Sequence, residues 1–417
     1  MTLDHPSSLT TPATLWREWT TLTAGSDRFP GTAHHEATRQ YLVQQLRQLD
    51  VDVTLHEFPY LGWRLVRPPR LALTSPEPRA LDALAFIYSG ATPPGGVSGT
   101  LHYVGEHLVI GLYRWKKFRV SDAQGETLAY VSGRPDGPAI PQPLAEGSAP
   151  IPHFIVGDRD LAYLADAIQE GREITVFGEI DCVLDESARG CNVIARTRAG
   201  PRGLPRVALC AHIDSVYDCP GANDNAGGVL ALLALARHYS TVGTHRPIDF
   251  LFFDGEEWDL FGSKAYVADH VGTAALADLA VLINLDGIAE AITDLQIWSG
   301  PEELEARLYS HIEEYEHGAA SSLNRIYKSP PPPGSDHMPF FAVGIPVIML
   351  TGWEMVKYHS PADVMHRPGA ESIAHITDLT RYLIDNVEWD GLTDSRRATL
   401  APHRQRTWEH ALSLKQY

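Results

Sequence analysis

Apolar residues recur along this chain in two rhythms, and the change of rhythm marks out its architecture. Ala37, Tyr41, Leu42, Leu46 and Leu49 fall at helical spacing, and Val51, Val53 and Leu55 then alternate as in a strand. A helix feeding a sheet is predicted there. Beyond Trp63 the texture shortens to strand-like pieces at 99–104 and 127–131, followed by a Gly/Pro-rich stretch over 133–152. A helix at 161–168 and a strand at 175–180 close that segment. From Cys191 onward buried-type strands alternate with helices: 207–212, 228–239, 248–253, 279–285 and 345–350, with a further amphipathic helix over about 371–387.

Alternation of that kind predicts an α/β fold, a three-layer α/β/α arrangement around a mixed, mostly parallel sheet. The β-rich texture of 64–182 predicts an inserted domain. It splits the α/β domain into 1–63 and 183–395 and leaves 396–417 as a tail of mixed charge without a clear period. Open α/β sheets bind ligands at the carboxyl ends of their strands. Several of these strands end in a residue able to hold a metal.

Composition narrows the partners. The chain has 417 residues, 44% hydrophobic and 21% charged, values ordinary for a folded globular protein. With 52 acidic against 34 basic residues its formal charge is −18, which repels phosphate backbones and anionic lipid surfaces. Nucleic acid and membrane are therefore excluded as expected partners. No basic start followed by an apolar run opens the chain, and no run of 18 uncharged apolar residues occurs, so a cytoplasmic protein is predicted, with secretion by another route as the alternative. Cys182, Cys191, Cys210 and Cys219 lack CxxC spacing and are read as reduced thiols, a Cys182–Cys191 bridge being the alternative.

The chemistry concentrates at strand ends. In ALCAHIDSVYDCPGANDNAGG a buried strand delivers His212 and Asp214, and a loop delivers Asp224 at the start of a helix. His212 can bind metal through one ring nitrogen while Asp214 accepts a hydrogen bond from the other. Asp224, comfortable at a helix N-terminus, can bridge two cations with its two oxygens. In IDFLFFDGEEWDLFGS a strand breaks at Gly255 into Glu256 and Glu257, whose side chains diverge, so one can bind metal while the other stays available as a base. LAVLINLDG ends in Asp286, and VKYHSPAD carries His359. Singly, each residue reads as a cap, a core histidine or a surface group. Five at five element ends match the inventory for two zinc ions that share one carboxylate, with positions left for water and substrate.

These residues resemble the co-catalytic di-zinc exopeptidases of the aminopeptidase Y, bacterial leucyl aminopeptidase and glutamate carboxypeptidase type. The resemblance rests on AHIDS, GANDNAGG, FFDGEEWDLFGS, INLDG, SDHMPF with GIPVIML, and KYHSPAD, over roughly 190–390, with RFPGTAHHEATRQYLVQQL resembling the opening segment. It implies the zinc exopeptidase fold and two zinc ions per chain. His212 and Asp286 would hold one zinc, Glu257 and His359 the other, with Asp224 bridging. Glu256 would be the general base, Asp214 would orient His212, and Tyr358 would donate to the oxyanion. It also implies a cis peptide between Asp224 and Asn225, and places Ser335, Asp336 and His337 near the site. More faintly, the insert resembles a protease-associated domain, especially in IPHFIVGDRDLAYLADAIQEG. Trp258, Met338, Phe340 and Trp353 are candidate pocket walls.

The expected activity is an aminopeptidase acting on a peptide with a free N-terminus. The alternatives are a carboxypeptidase of the same fold, a single-zinc glutaminyl cyclase, and a receptor-like protein without catalysis. DNAGG in place of the family's frequent DNASG puts Gly227 where a serine is common.

Overall fold

Two stretches of different texture fold as two compact units. One comprises the chain up to Phe58, Arg189–Glu256 and the chain from Leu260; the other comprises Pro59–Ala188 with Glu257–Asp259. The structure is a computed structural model that describes residues 9–23, 27–110, 113–144, 151–198, 204–290, 294–319, 324–352 and 357–392. The expected tail at 396–417 and Trp353 lie outside the described residues.

The first unit starts with helices α1 (Pro12–Thr23) and α2 (Ala33–Leu46) and strand β1 (Val51–Pro59). Thr32 caps α2, its hydroxyl accepting the His35 N–H at 3.2 Å.

The second unit is built from β2 (Gly62–Ser75), β3 (Arg79–Leu81), β4 (Ala83–Ala85), β5 (Val97–Val109), β6 (Tyr113–Ser121), β7 (Thr127–Gly133), β8 (His153–Val156), α3 (Asp158–Gln169) and β9 (Thr175–Asp185). Its eight strands form one sheet in the order β3-β2-β9-β5-β6-β7-β8-β4. The unit reaches further than the predicted 64–182 because β2 and β9 stay paired out to Gly62 opposite Asp185. Trp258 is buried edge-on against Tyr60 and Tyr88, with ring centroids 5.2 and 5.6 Å away, so it is a core residue of this unit and not a pocket wall.

One polar cluster interrupts that unit's apolar interior. Ser132 Oγ sits 2.7 Å from the Nε2 atoms of both His107 and His153, so its hydroxyl can donate to one ring while accepting from the other. Burial, helped by the Lys117 ammonium, pushes His107 down to about 4, and the same causes hold His153 well below its ordinary range. The unfolded chain protonates His107 near 6.5, whereas the folded one resists until about 4. Stability contributed by the neutral pair is therefore full above 6.5 and is lost as the pH falls towards 4. Thermal unfolding measured from pH 7 to 4 should show this slope, and His107→Gln should flatten it. An unchanged slope in the variant would remove His107 as its cause.

The first unit resumes with β10 (Arg189–Thr197), β11 (Arg206–His212), a π-helical turn (Ala222–Ala226), α4 (Gly227–Val242), β12 (Ile248–Phe253), α5 (Phe261–His270), α6 (Ala274–Ala277) and β13 (Leu279–Leu285). It continues with β14 (Asp294–Gly300), α7 (Glu302–Ala319), β15 (Asn324–Lys328), α8 (His337–Ala342), β16 (Val347–Thr351) and α9 (Arg367–Asn386). The sheet order is β1-β10-β12-β11-β13-β16-β14-β15. At its centre β12, β11, β13 and β16 run parallel, while β10 and β14 pair antiparallel to β12 and β16.

Those central strands are apolar throughout because both faces are covered. Val207, Leu209, Ala211, Phe250 and Phe252 join a core with α1, α4, α7 and α9, whereas Ala208, Cys210, Leu251 and Phe253 join one with α5, α6 and α8. This period-two division produces three layers. Met338 and Phe340, expected as pocket walls, are fully buried in the second of these cores. All four cysteines are free thiols, so the Cys182–Cys191 alternative is not realised. Among the described residues no helix is long and apolar enough to cross a membrane.

Candidate metal centre

Because β11, β12, β13 and β16 are parallel, their carboxyl ends open on one edge of the sheet, and the chain turns there from apolar to acidic. β11 ends at His212, β12 runs on into Asp254-Gly255-Glu256-Glu257, and β13 runs on into Asp286. Asp224 lies in the π-helical turn before α4, with a cis peptide to Asn225 as the resemblance implied. Gly221, at φ +57, starts that turn. A Cβ there would meet the Asp224 carbonyl oxygen at 2.3 Å, so only glycine fits.

His212 is 1% exposed, and its two ring nitrogens have different neighbours. Nδ1 lies 3.2 Å from the Asp214 carbonyl oxygen and 3.6 Å from Asp214 Oδ1. The carbonyl is thus the nearer acceptor, because positions i and i+2 share a face only in an extended strand and β11 ends at His212. The Asp214 carboxylate instead accepts the Glu256 N–H at 3.2 Å, joining the His212 strand to the glutamate turn.

The Nε2 atom of His212 faces Asp224 Oδ1, 3.0 Å away, and Asp286 Oδ1, 3.5 Å away. The other oxygen of Asp224, Oδ2, lies 3.4 Å from His359 Nε2. His212, Asp224 and Glu257 each offer a ligand atom within 4.8 Å of the others, and so do His212, Glu256 and Asp286. Glu257 is buried and Glu256 half-buried.

The electrostatics fit a cation. Burial alone would push the His212 imidazole down, yet the charge of Glu256 and hydrogen bonding with Asp214, Asp224 and Asp286 raise it well above its ordinary value. Burial would likewise raise Asp224, and hydrogen bonding to His212 and His359 instead holds it below the usual carboxylate range. Imidazole nitrogens and carboxylate oxygens facing one another in a dry pocket need positive charge between them. A divalent ion supplies it without the proton. The donor set, imidazole and carboxylate only, suits zinc, and the two oxygens of Asp224 between two histidines suit a shared ligand.

Around this cluster lies scaffolding that the sequence reading had not resolved. Ser335 donates to Asp286 Oδ2 at 2.6 Å and accepts from Asn284 Nδ2 at 2.7 Å. His337 accepts from Asn284 and donates to the Pro332 carbonyl at 2.8 Å, so the SDH segment and the proline run support Asp286. Asp363 accepts the backbone N–H groups of Asn223 and Asp224, at 2.8 and 3.1 Å. Asp254 pairs with His35 at 2.9 Å and accepts the Cys191 N–H, fixing the start of the glutamate turn. Arg28, 1% exposed, donates to the carbonyls of Ile213, Pro220 and Gly221 at 2.9, 2.5 and 2.9 Å. Tyr358 stacks on the His359 ring at a centroid distance of 3.6 Å.

Residues 192–384 match Peptidase family M28. That match spans a little under half of the chain. Over 185 residues the chain is 32% identical to aminopeptidase YwaD of Bacillus subtilis, covering 42% of this chain and 39% of that protein. The curated relatives first matched are thus spanned over well under two thirds of their length. The M28 peptidase precursor of Shewanella amazonensis shares the fold with a TM-score of 0.72 at 18% identity, over 93% of this chain and 95% of that one. A zinc aminopeptidase from Bacillus subtilis shares it with a TM-score of 0.67 at 20% identity, over 93% of this chain and 98% of that one.

Proposed function

We propose that this chain is a zinc aminopeptidase of the M28 type that hydrolyses the first peptide bond of substrates with a free N-terminus, using two zinc ions. The observation carrying this reading is the facing arrangement at Asp224, whose Oδ1 meets His212 Nε2 at 3.0 Å while its Oδ2 meets His359 Nε2 at 3.4 Å. In this reading His212 and Asp286 would hold one ion and Glu257 and His359 the other, with Asp224 as the shared ligand. When bound, zinc polarises the scissile carbonyl and acidifies the attacking water.

The chain's own groups do the rest. Glu256, half-buried and positioned through its backbone by Asp214, takes the proton from the attacking water and passes it to the leaving amine. Asp214 keeps the His212 tautomer fixed through its carbonyl. The surplus of carboxylates receives the cationic N-terminus of the substrate. Tyr358, held against the His359 ring, donates to the developing oxyanion.

The test uses chain stripped of metal by a chelator and then restored with zinc, assayed on aminoacyl reporter amides, their N-acetylated counterparts, C-terminally cleavable peptides and an N-terminal glutamine peptide. Hydrolysis should return with zinc and require the free amine. Equal cleavage of the acetylated substrates, or cyclisation of the glutamine peptide in place of amide hydrolysis, would defeat the aminopeptidase reading.

A further inference from the structure

Four residues beyond Asp286 the chain buries another acid, Glu290, whose side chain is only 4% exposed. Its Oε2 receives two donors from distant segments. Lys357 Nζ lies 3.3 Å away and His366 Nε2 3.0 Å away. The His366 tautomer follows from its other nitrogen, since Nδ1 accepts the Gly369 N–H at 3.0 Å in capping α9, so Nε2 carries the proton. The Glu290 carbonyl accepts from Ser372 at 2.6 Å, and the preceding Ala289 N–H donates to Asn223 Oδ1 at 2.6 Å.

Two of these partners stand beside a residue of the metal cluster in the chain. Asn223 precedes Asp224, and Lys357 stands two residues before His359. Loop 286–290 is wedged too closely to shift alone. A Cβ on Gly227 would meet Ala289 Cβ at 2.7 Å, and one on Gly369 would meet the Ala289 carbonyl at 2.1 Å. A carboxylate so placed has a role that packing does not explain, because an apolar side chain would fill the same space without fastening Lys357 or His366.

We propose that Glu290 is a positioning residue for the metal centre, tying the loop that carries Asp286 to the segment that carries His359. The inference rests on the di-zinc reading above. Its asymmetry is the useful part. Asp286 has its own support from Ser335, whereas His359 has Glu290 acting through Lys357. Loss of the tie therefore weakens the ion on the His359 side more than the other.

The experiment compares wild type, Glu290→Gln and Lys357→Met, each as the full chain, by zinc competition with a chromophoric chelator and by kcat and KM on an aminoacyl amide. Lys357 is 34% exposed, so its variant tests the tie without opening the core. In both variants one of the two zinc equivalents should be released about ten- to a hundredfold more readily, while the other holds. Two equivalents held as in wild type would overturn the proposal. So would equal weakening of both together with a lower unfolding temperature of the zinc-free chain, which marks a plainly structural role. A wild type that takes up fewer than two equivalents would instead overturn the di-zinc reading, before the variants are compared.

Discussion

Glu256→Ala should lower kcat for aminoacyl amide hydrolysis by about two to four orders of magnitude, the usual contribution of a positioned general base, with KM near the wild-type value. The two neighbouring glutamates are unequal in this structure: Glu257 is buried and Glu256 half-buried, its backbone N–H held by Asp214. Glu256 also lies close enough to His212 and Asp286 to count as a ligand. The variant separates these roles. A base whose loss leaves two zinc equivalents bound is a proton carrier, and Glu256→Gln, which keeps volume but not basicity, should be as inactive as alanine. Loss of an equivalent along with activity would reassign Glu256 to the metal.

What sequence reveals of this fold divides along a physical line. Fully buried parallel strands read as unbroken apolar runs, so β12 at Ile248–Phe253 and β13 at Leu279–Leu285 have the predicted bounds, and β11 begins one residue before the predicted 207. β14, β15 and α7, towards the sheet's far edge, did not register. Their half-exposed faces mix polar with apolar residues, as in β15, where Asn324 is exposed and the rest are of intermediate burial.

The site divides similarly. Residues that would touch an ion carry their chemistry in their type and stand at strand ends, so His212, Asp224, Asp286 and His359 were legible before any geometry and lie within 3.0–3.5 Å contacts of one another. Residues that act through backbone groups carry no such mark. Asp363 sits inside the quoted KYHSPAD motif, yet its work is to receive two N–H groups of the Asp224 turn, which only a folded backbone reveals. Trp258, Met338 and Phe340 went the other way. Nearness in sequence to motif residues suggested pocket walls, and all three are buried core.

Arg28 shows how much such scaffolding carries, and its removal should have the largest effect on stability. The guanidinium is fully enclosed and donates to the Ile213, Pro220 and Gly221 carbonyls, with the Asp214 carbonyl at 3.4 Å, while its backbone N–H donates to Ser215 at 2.9 Å. Burial lowers its pKa, with Cys219, Asp363, Asp214 and Asp224 opposing that by charge. Arg28→Ala would strand those carbonyls beside a void. At about 1–3 kcal/mol for each unsatisfied buried group, less what entering water recovers, the expected loss is about 3–5 kcal/mol. Arg28→Lys should recover little, because one ammonium cannot reproduce a fork that spans Ile213 to Gly221. Hydrogen exchange over 213–221 and the denaturant midpoint of the first unit measure the effect. Those carbonyls belong to the loop between His212 and Asp224, so exchange there should accelerate in both variants and zinc affinity should fall with it. A midpoint shift worth under about 1 kcal/mol, with exchange unchanged, would show that the loop holds its shape without Arg28.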